Sequence, residues 1–259
     1  MSITAVAGCA SKANEGSGFN SPEEAAKAYL EGLRAGDLNR MISTFAIESY
    51  VKNYDLEAYL NRMQSYGVHS LQEPVPNANE FVTSQNIEIR RSAVAKEILY
   101  QYLTLCDSKI YQDMDSEGTR FFIDETMQSE LPAQFKEELN GSDLSTLKVL
   151  GVIPASQLSE ISSLGEMSSL GEMYSSEENQ SNLERQYKIC GAEDQASCVV
   201  AFELNGNQYV LFLDAVKYEG KWRIAQLSGY VGTLMGLGPE SGGILPLADA
   251  DFNIDDILE

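Results

Sequence analysis

The chain has 259 residues, 43% apolar and 22% charged, a composition that fits a globular fold and excludes a disordered polymer. Its 18 basic residues stand against 39 acidic ones, a formal charge of −21 at pH 7. Such a body repels the phosphates of nucleic acid and an anionic bilayer surface, and no apolar run reaches the roughly 18 residues that a spanning helix needs.

In chain order, the first feature is Val6-Ala7-Gly8-Cys9, followed by small polar residues from Ala10 to Asn20. An apolar residue with two small ones before a Cys resembles the lipobox of bacterial lipoproteins. The resemblance implies cleavage before Cys9, a lipid on its thiol, and a place on the extracytoplasmic face of a cell membrane. No basic segment precedes it, and eight residues are short for a signal peptide. The upstream part is therefore expected to lie outside this chain. Residues 1–20 read as a remnant signal, the lipobox and a flexible tether.

A single α+β domain is expected from residue 21 to about 230. Ser21-Pro22-Glu23-Glu24 carries a capping box and a proline at the first helical position. Ala25, Ala28, Tyr29 and Leu33 follow at helical spacing. Gly36 closes this helix, and Asp37 caps a second with Leu38, Met41, Ile42 and Phe45. Asp55 caps a third, expected over Leu56 to Tyr66. After Pro74 and Pro76, a long helix resumes near Asn79, with Val94, Ile98, Leu99 and Tyr102.

His69 is the only histidine. That excludes a multi-histidine zinc site, and a structural role is expected for it. No G-x-S-x-G elbow and no phosphate-binding P-loop occurs. The segment "DMDSEGTRFFID" places Asp113, Asp115, Glu117 and Asp124 at positions 1, 3, 5 and 12 of a calcium loop, with Gly118 at position 6. Arg120 and the final Asp depart from that pattern. The alternatives are a weak calcium site and an ordinary acidic loop; no other cofactor is expected. "ETMQSELPAQFKEEL" reads as a helix interrupted near Pro132.

"SSLGEMSSLGEM", Ser162 to Met173, is a hexapeptide written twice. It sets apolar residues from Leu158 to Met173 at a period of three, a stripe that drifts about 60° per step around a helix. No Lys or Arg occurs from Val149 to Glu184. A surface insertion is expected near 155–182.

The period then changes. "CVVAFELNGNQYVLFLDAVKYEGKWRIAQL" reads as three antiparallel strands with turns at Asn205-Gly206 and Glu219-Gly220, and "RQYKIC" as a fourth. Two-residue turns pair Phe202 with Tyr209, Val200 with Leu211, Ala215 with Ile224 and Leu213 with Gln226. The face carrying these residues and Trp222 should meet the helices. The other face, with Val210, Phe212, Asp214, Val216 and Arg223, should look outward. There Asp214 and Arg223 would form a surface pair, and the apolar residues would suit dimerisation. Cys190 and Cys198 flank a short connection; a disulfide there would stabilise the fold by about 2.6 kcal/mol, two buried thiols being the other reading. Residues 231–259 read as a Gly-rich acidic tail, with no basic residue after Arg223.

Helices first, opening "SPEEAAKAYLEGLRAGDLNRMISTF", and a meander ending "VKYEGKWRIAQL" together resemble the nuclear-transport-factor-2-like fold, also called SnoaL-like or ketosteroid-isomerase-like. The resemblance implies a curved sheet wrapped around helices and a conical pocket; by register Tyr209, Trp222 and Gln226 fall on the inner face and would line it, core packing of Tyr209 with Phe202 being the other reading. That fold hosts binders, enzymes and dimerisation modules, and no catalytic residue can be assigned here. The expected function is an extracytoplasmic, lipid-anchored protein that binds a small ligand or a cell-envelope partner without catalysis. The alternatives are an acid–base pocket enzyme of the isomerase or hydratase type and a dimerisation module.

Overall fold

The computed structural model describes residues 14–63, 74–107, 125–140, 143–160, 166–238 and 241–247. Helix α1 (Pro22–Arg34) starts where its sequence dictates. Ser21 Oγ accepts from the Glu24 N–H at 3.2 Å, and the Glu24 carboxylate accepts from the Asn20 N–H at 3.0 Å. Its buried face carries Ala25, Ala26, Tyr29, Leu30 and Leu33. Asp37 caps α2 (Leu38–Ser43) through the Arg40 N–H at 3.0 Å. Helix α4 (Leu56–Met63) follows Asp55, whose carboxylate accepts from Ala58 N–H. The long α5 (Glu80–Leu105) begins at an Asn79 cap. Helix α6 (Glu125–Leu139) runs through Pro132 without ending there.

Between α2 and α4 lies a short helix, α3 (Glu48–Asn53), that the pattern did not announce because its cap comes from far away. The Glu15 carboxylate accepts from the Ile47 and Ser49 N–H groups, each at 2.8 Å. Its other oxygen pairs with Arg223 at 2.5 Å, and both side chains are less than a tenth exposed.

The sheet is antiparallel, in the order β1 (Lys148–Pro154), β2 (Asp194–Leu204), β3 (Asn207–Tyr218) and β4 (Lys221–Leu227). A short β5 (Ile244–Pro246) also pairs with β3. The fold is thus α+β, with helices ahead of an antiparallel meander. Both hairpin turns have two residues at positive φ: Asn205 and Gly206 at 53° and 82°, Glu219 and Gly220 at 52° and 71°. That is the twist-matched turn for a two-residue hairpin. Phe202 pairs with Tyr209, Val200 with Leu211 and Ala215 with Ile224, as expected.

Several expectations are corrected. "RQYKIC" is not a strand: Arg185 to Lys188 finish helix α8 (Glu177–Lys188), whose Leu183 and Tyr187 are buried one turn apart. The fourth strand is β1, whose register shifts between Val149 and Gly151. A β-bulge in β4 skips Ala225, so Gln226 pairs with Asp214 and Leu227 with Leu213. Leu227 thereby takes the inward place expected for Gln226. Of the residues in the α5 pattern, Val94 and Ile98 are buried, while Leu99 is half exposed.

The outer face of the sheet is not solvated. Helices α7 (Glu166–Ser175), α8 and α9 (Gly229–Leu234) build a second layer with Leu158, Tyr174, Leu183, Tyr187 and Val231. From the segment read as a surface insertion, Ala155, Leu158 and Tyr174 are buried in this layer, and part of the supposed tail returns as α9 and β5. Val210, Phe212 and Val216, read as an exposed dimerising face, are 0–1% exposed beneath that layer. Cys190 belongs to this second cluster and Cys198 to the first, on the opposite face. Both are free thiols, and the expected bond between them is not formed. Burial pushes the Cys198 thiol up to about 12, which makes it inert.

Glu15→Ala would leave the buried Arg223 guanidinium without its carboxylate and α3 without its distant cap. A loss of about 3–5 kcal/mol is expected, read by chemical denaturation. Glu15→Ala combined with Arg223→Met should recover a large part of it.

Candidate functional site

The bulge in β4 organises the neighbourhood. Asp214 on β3, 1% exposed, is ringed by donors from four elements. Tyr187 of α8 and Ser197 of β2 give hydroxyl hydrogen bonds. Gln226 of β4 donates its amide at 3.2 Å, and the Tyr230 backbone N–H of α9 donates at 2.9 Å. Burial raises the Asp214 pKa above the ordinary carboxyl value, against the lowering effect of these bonds. Gly229 sits at φ +60°, and a Cβ there would stand 2.6 Å from Asp214 Oδ1, so only glycine fits. The expected surface pair with Arg223 is replaced by this internal network, because α8 and α9 cover the face.

β4 is an edge of the sheet, and edge strands leave backbone groups to be satisfied. At Ile224 the loop after α2 does so: Ile224 N–H donates to Thr44 O, and Ala46 N–H to Ile224 O. Beyond the bulge the partners are side chains of α5. Arg90 donates from Nη2 to the Ala225 carbonyl, and Glu97 Oε2 accepts from the Leu227 N–H at 3.0 Å. Arg90 and Glu97 are seven residues apart, two helical turns, so they share a face about 10 Å apart along the axis. Ala93 lies between them and leaves space.

That space is a cleft of about 520 Å³. Its lining includes Tyr50, Tyr59, Arg62, Arg90, Glu97 and Tyr187. Gln226 and Gly229 tie its wall to the Asp214 network. The Arg90 guanidinium lies over the Tyr50 ring, 4.4 Å from its centre. Arg62 is exposed at the rim. Glu97 is partly buried; burial raises its pKa, while Arg90 and the Leu227 N–H pull it down. Tyr187 keeps its proton, burial and the Asp214 charge both raising its pKa.

Of the residues expected to line a pocket, only Gln226 does. Tyr209 stacks on Phe202 at 5.3 Å in the inner core. Trp222 is 9% exposed, with its backbone bridged to Phe19 and Lys217 over its ring. Cys190, expected in a disulfide, borders the cleft instead. Cys9, His69, Asp113, Asp115, Glu117 and Asp124 lie outside the described residues. Among the described residues, no cluster of three or more His, Cys, Asp or Glu can hold a metal, and no helix is long and apolar enough to cross a membrane. Arg90 and Glu97 escaped sequence reading; their only signal was a polar i, i+7 pair around an alanine on a helix.

Among solved structures, the chain is similar to the crystal structure of a cystatin-like protein from Ruminococcus gnavus ATCC 29149, with 16% identity and a TM-score of 0.47. The match covers 91% of this chain and 42% of that one, so the chain spans less than half that protein's length. No family model and no curated protein matches the chain.

The raised pKa of Glu97 has a thermodynamic consequence. The folded state holds that proton more tightly than the unfolded chain, so stability falls as pH rises from the ordinary carboxyl value through the raised one. Gln carries no charge to desolvate and still offers an oxygen to the Leu227 N–H. Glu97→Gln should therefore melt above the parent near pH 7, and the gap should close below about pH 4.3. Melting curves across this range check it; a gap independent of pH would contradict it.

Proposed function

We propose that this chain is a binding protein of the cell envelope, held to the membrane by a lipid on Cys9, which takes a small polar molecule into the cleft beside α5. The observation that carries the binding part is the cleft's lining: charged groups of both signs around a cavity of about 520 Å³, beside aromatic walls. Sites of this size with a few placed polar groups suit a metabolite. Helices ahead of an antiparallel meander support the nuclear-transport-factor-2-like reading, although the cleft lies beside the β4 edge and not on the inner face. A second reading, acid–base chemistry, is favoured by one observation, the raised pKa of Glu97, which suits a general base. Asp214 does not supply its partner, since its oxygens already accept four hydrogen bonds.

Anchoring is supported by Val6-Ala7-Gly8-Cys9. With Glu15 fixed to the body, only residues 10–14 separate Cys9 from it, a reach of about 21 Å at full extension.

Two measurements test these readings. Melting of the purified protein against a panel of small neutral, anionic, cationic and zwitterionic metabolites should show a concentration-dependent rise with at least one class. Ala93→Phe, which fills the cleft, should abolish that rise; no rise with any class overturns the binding reading. Expressed from its own gene with all that is encoded upstream, the protein should fractionate with membranes and its Cys9→Ser variant should not. Equal fractionation of the two overturns the anchor.

A further inference from the structure

We infer that the ligand of this cleft is a small zwitterion, a molecule with a free ammonium and a free carboxylate such as an amino acid. The inference rests on the cleft being the binding site and goes beyond it in naming the ligand's chemistry.

Helix α5 presents opposite charges on one face, Arg90 and Glu97, with Ala93 making room between them. Among the described residues, no ion pair joins the two. Each is held in place by one backbone group of β4 and keeps further capacity. Glu97 Oε2 takes the Leu227 N–H, and no described donor reaches the other oxygen. Arg90 commits Nη2 to the Ala225 carbonyl and its face to Tyr50, and no described acceptor meets Nη1. Arg62 adds a second positive group at the rim. The cleft is thus polarised along α5, with a carboxylate and a guanidinium two helical turns apart.

The whole-chain charge narrows the choice. At −21, the protein's field disfavours a free anion, although the local guanidinium groups would attract its head. A simple cation gains from the field but meets two arginines with nothing to offer them. A zwitterion is neutral to the long-range field and feels only the local pair, so its orientation is set inside the cleft. Tyr50 and Tyr59 give its body an aromatic wall. The carboxylate end would accept charge-assisted hydrogen bonds from guanidinium, and the ammonium end would donate to Glu97.

Calorimetry on the parent protein with a defined series tests this. The zwitterions are glycine, 4-aminobutyrate, 6-aminohexanoate and phenylalanine. Butyrate and 3-phenylpropionate lack the ammonium, butylamine and phenethylamine lack the carboxylate, and glycerol is the neutral control. At least one zwitterion should bind, and each single-charge analogue of it should bind roughly tenfold more weakly or worse. Glu97→Gln should weaken that zwitterion about tenfold, without weakening the carboxylate-only analogue. Arg62→Ala, at an exposed position that the fold does not need, should weaken the zwitterion and the carboxylate alike. Binding of a single-charge analogue as tightly as the zwitterion, or of no zwitterion at all, overturns the inference, as does zwitterion binding untouched by Glu97→Gln. Glycerol binding that Ala93→Phe abolishes, with no zwitterion bound, would overturn it while leaving the cleft as the binding site.

Discussion

One buried carboxyl holds the cleft-bearing side of the molecule together. Among the described residues Asp214 has no cationic partner; it is stabilised by donors from α8, β2, β4 and α9. A carboxyl buried so deeply is costly unless its oxygens are satisfied, and satisfying them fixes where these elements lie. Tyr187, Gln226 and Gly229, which border the cleft, are positioned by the same group. The wall of the cleft is in effect the outer side of the Asp214 network. An apolar residue at 214 would leave the hydroxyls of Tyr187 and Ser197 to find other acceptors inside a closed layer.

The second organising fact is that the central strands are covered on both sides. Val200, Phe202, Tyr209 and Leu211 meet α1, while Val199, Ala201, Val210 and Phe212 meet the later helices. A sheet buried on both faces leaves its rim as the place where side chains can reach both backbone and solvent. At the β4 rim the bulge disrupts the regular ladder, and α5 supplies Arg90 and Glu97 to the backbone there. The polar residues of the cleft are thus explained twice: they finish an edge strand, and they face a cavity.

How far the residues announce this differs by element. Helix starts at Ser21, Asp37 and Asn79 were legible because a cap acts on its own next turn. Both hairpins were legible because their turn residues tolerate positive φ, and register followed from loop length. What was not legible is long-range. The bulge at Ala225 has no glycine or proline to mark it, and it changed which way Gln226 points. "RQYKIC" alone has the pattern of a strand; the signals of helix α8, its Ser176 cap and acidic first turn, lie ahead of it. The second layer was missed because a period-three stripe looks like a poor helix until a sheet is there to receive it. The Arg90–Glu97 site depends on that layer and on the bulge, so it could not be read before them. Register puts Tyr209 and Trp222 on the inner face, and it is packing, such as Tyr209 on Phe202, that fills this face.

The clamp at Glu15 has a mechanical side. From the amino-terminal direction, the attachments come in chain order: Glu15 to Arg223 and α3, then Gly16 N–H to Ser43 O, then the paired Phe19 and Trp222 backbones. A pull on this end would load them one after another, peeling the segment from the β4 rim instead of shearing it. The first attachment to give way would be the ionic one, and its loss would uncover the Arg223 guanidinium. Tension on the chain and the integrity of the sheet edge are therefore coupled through a single carboxylate.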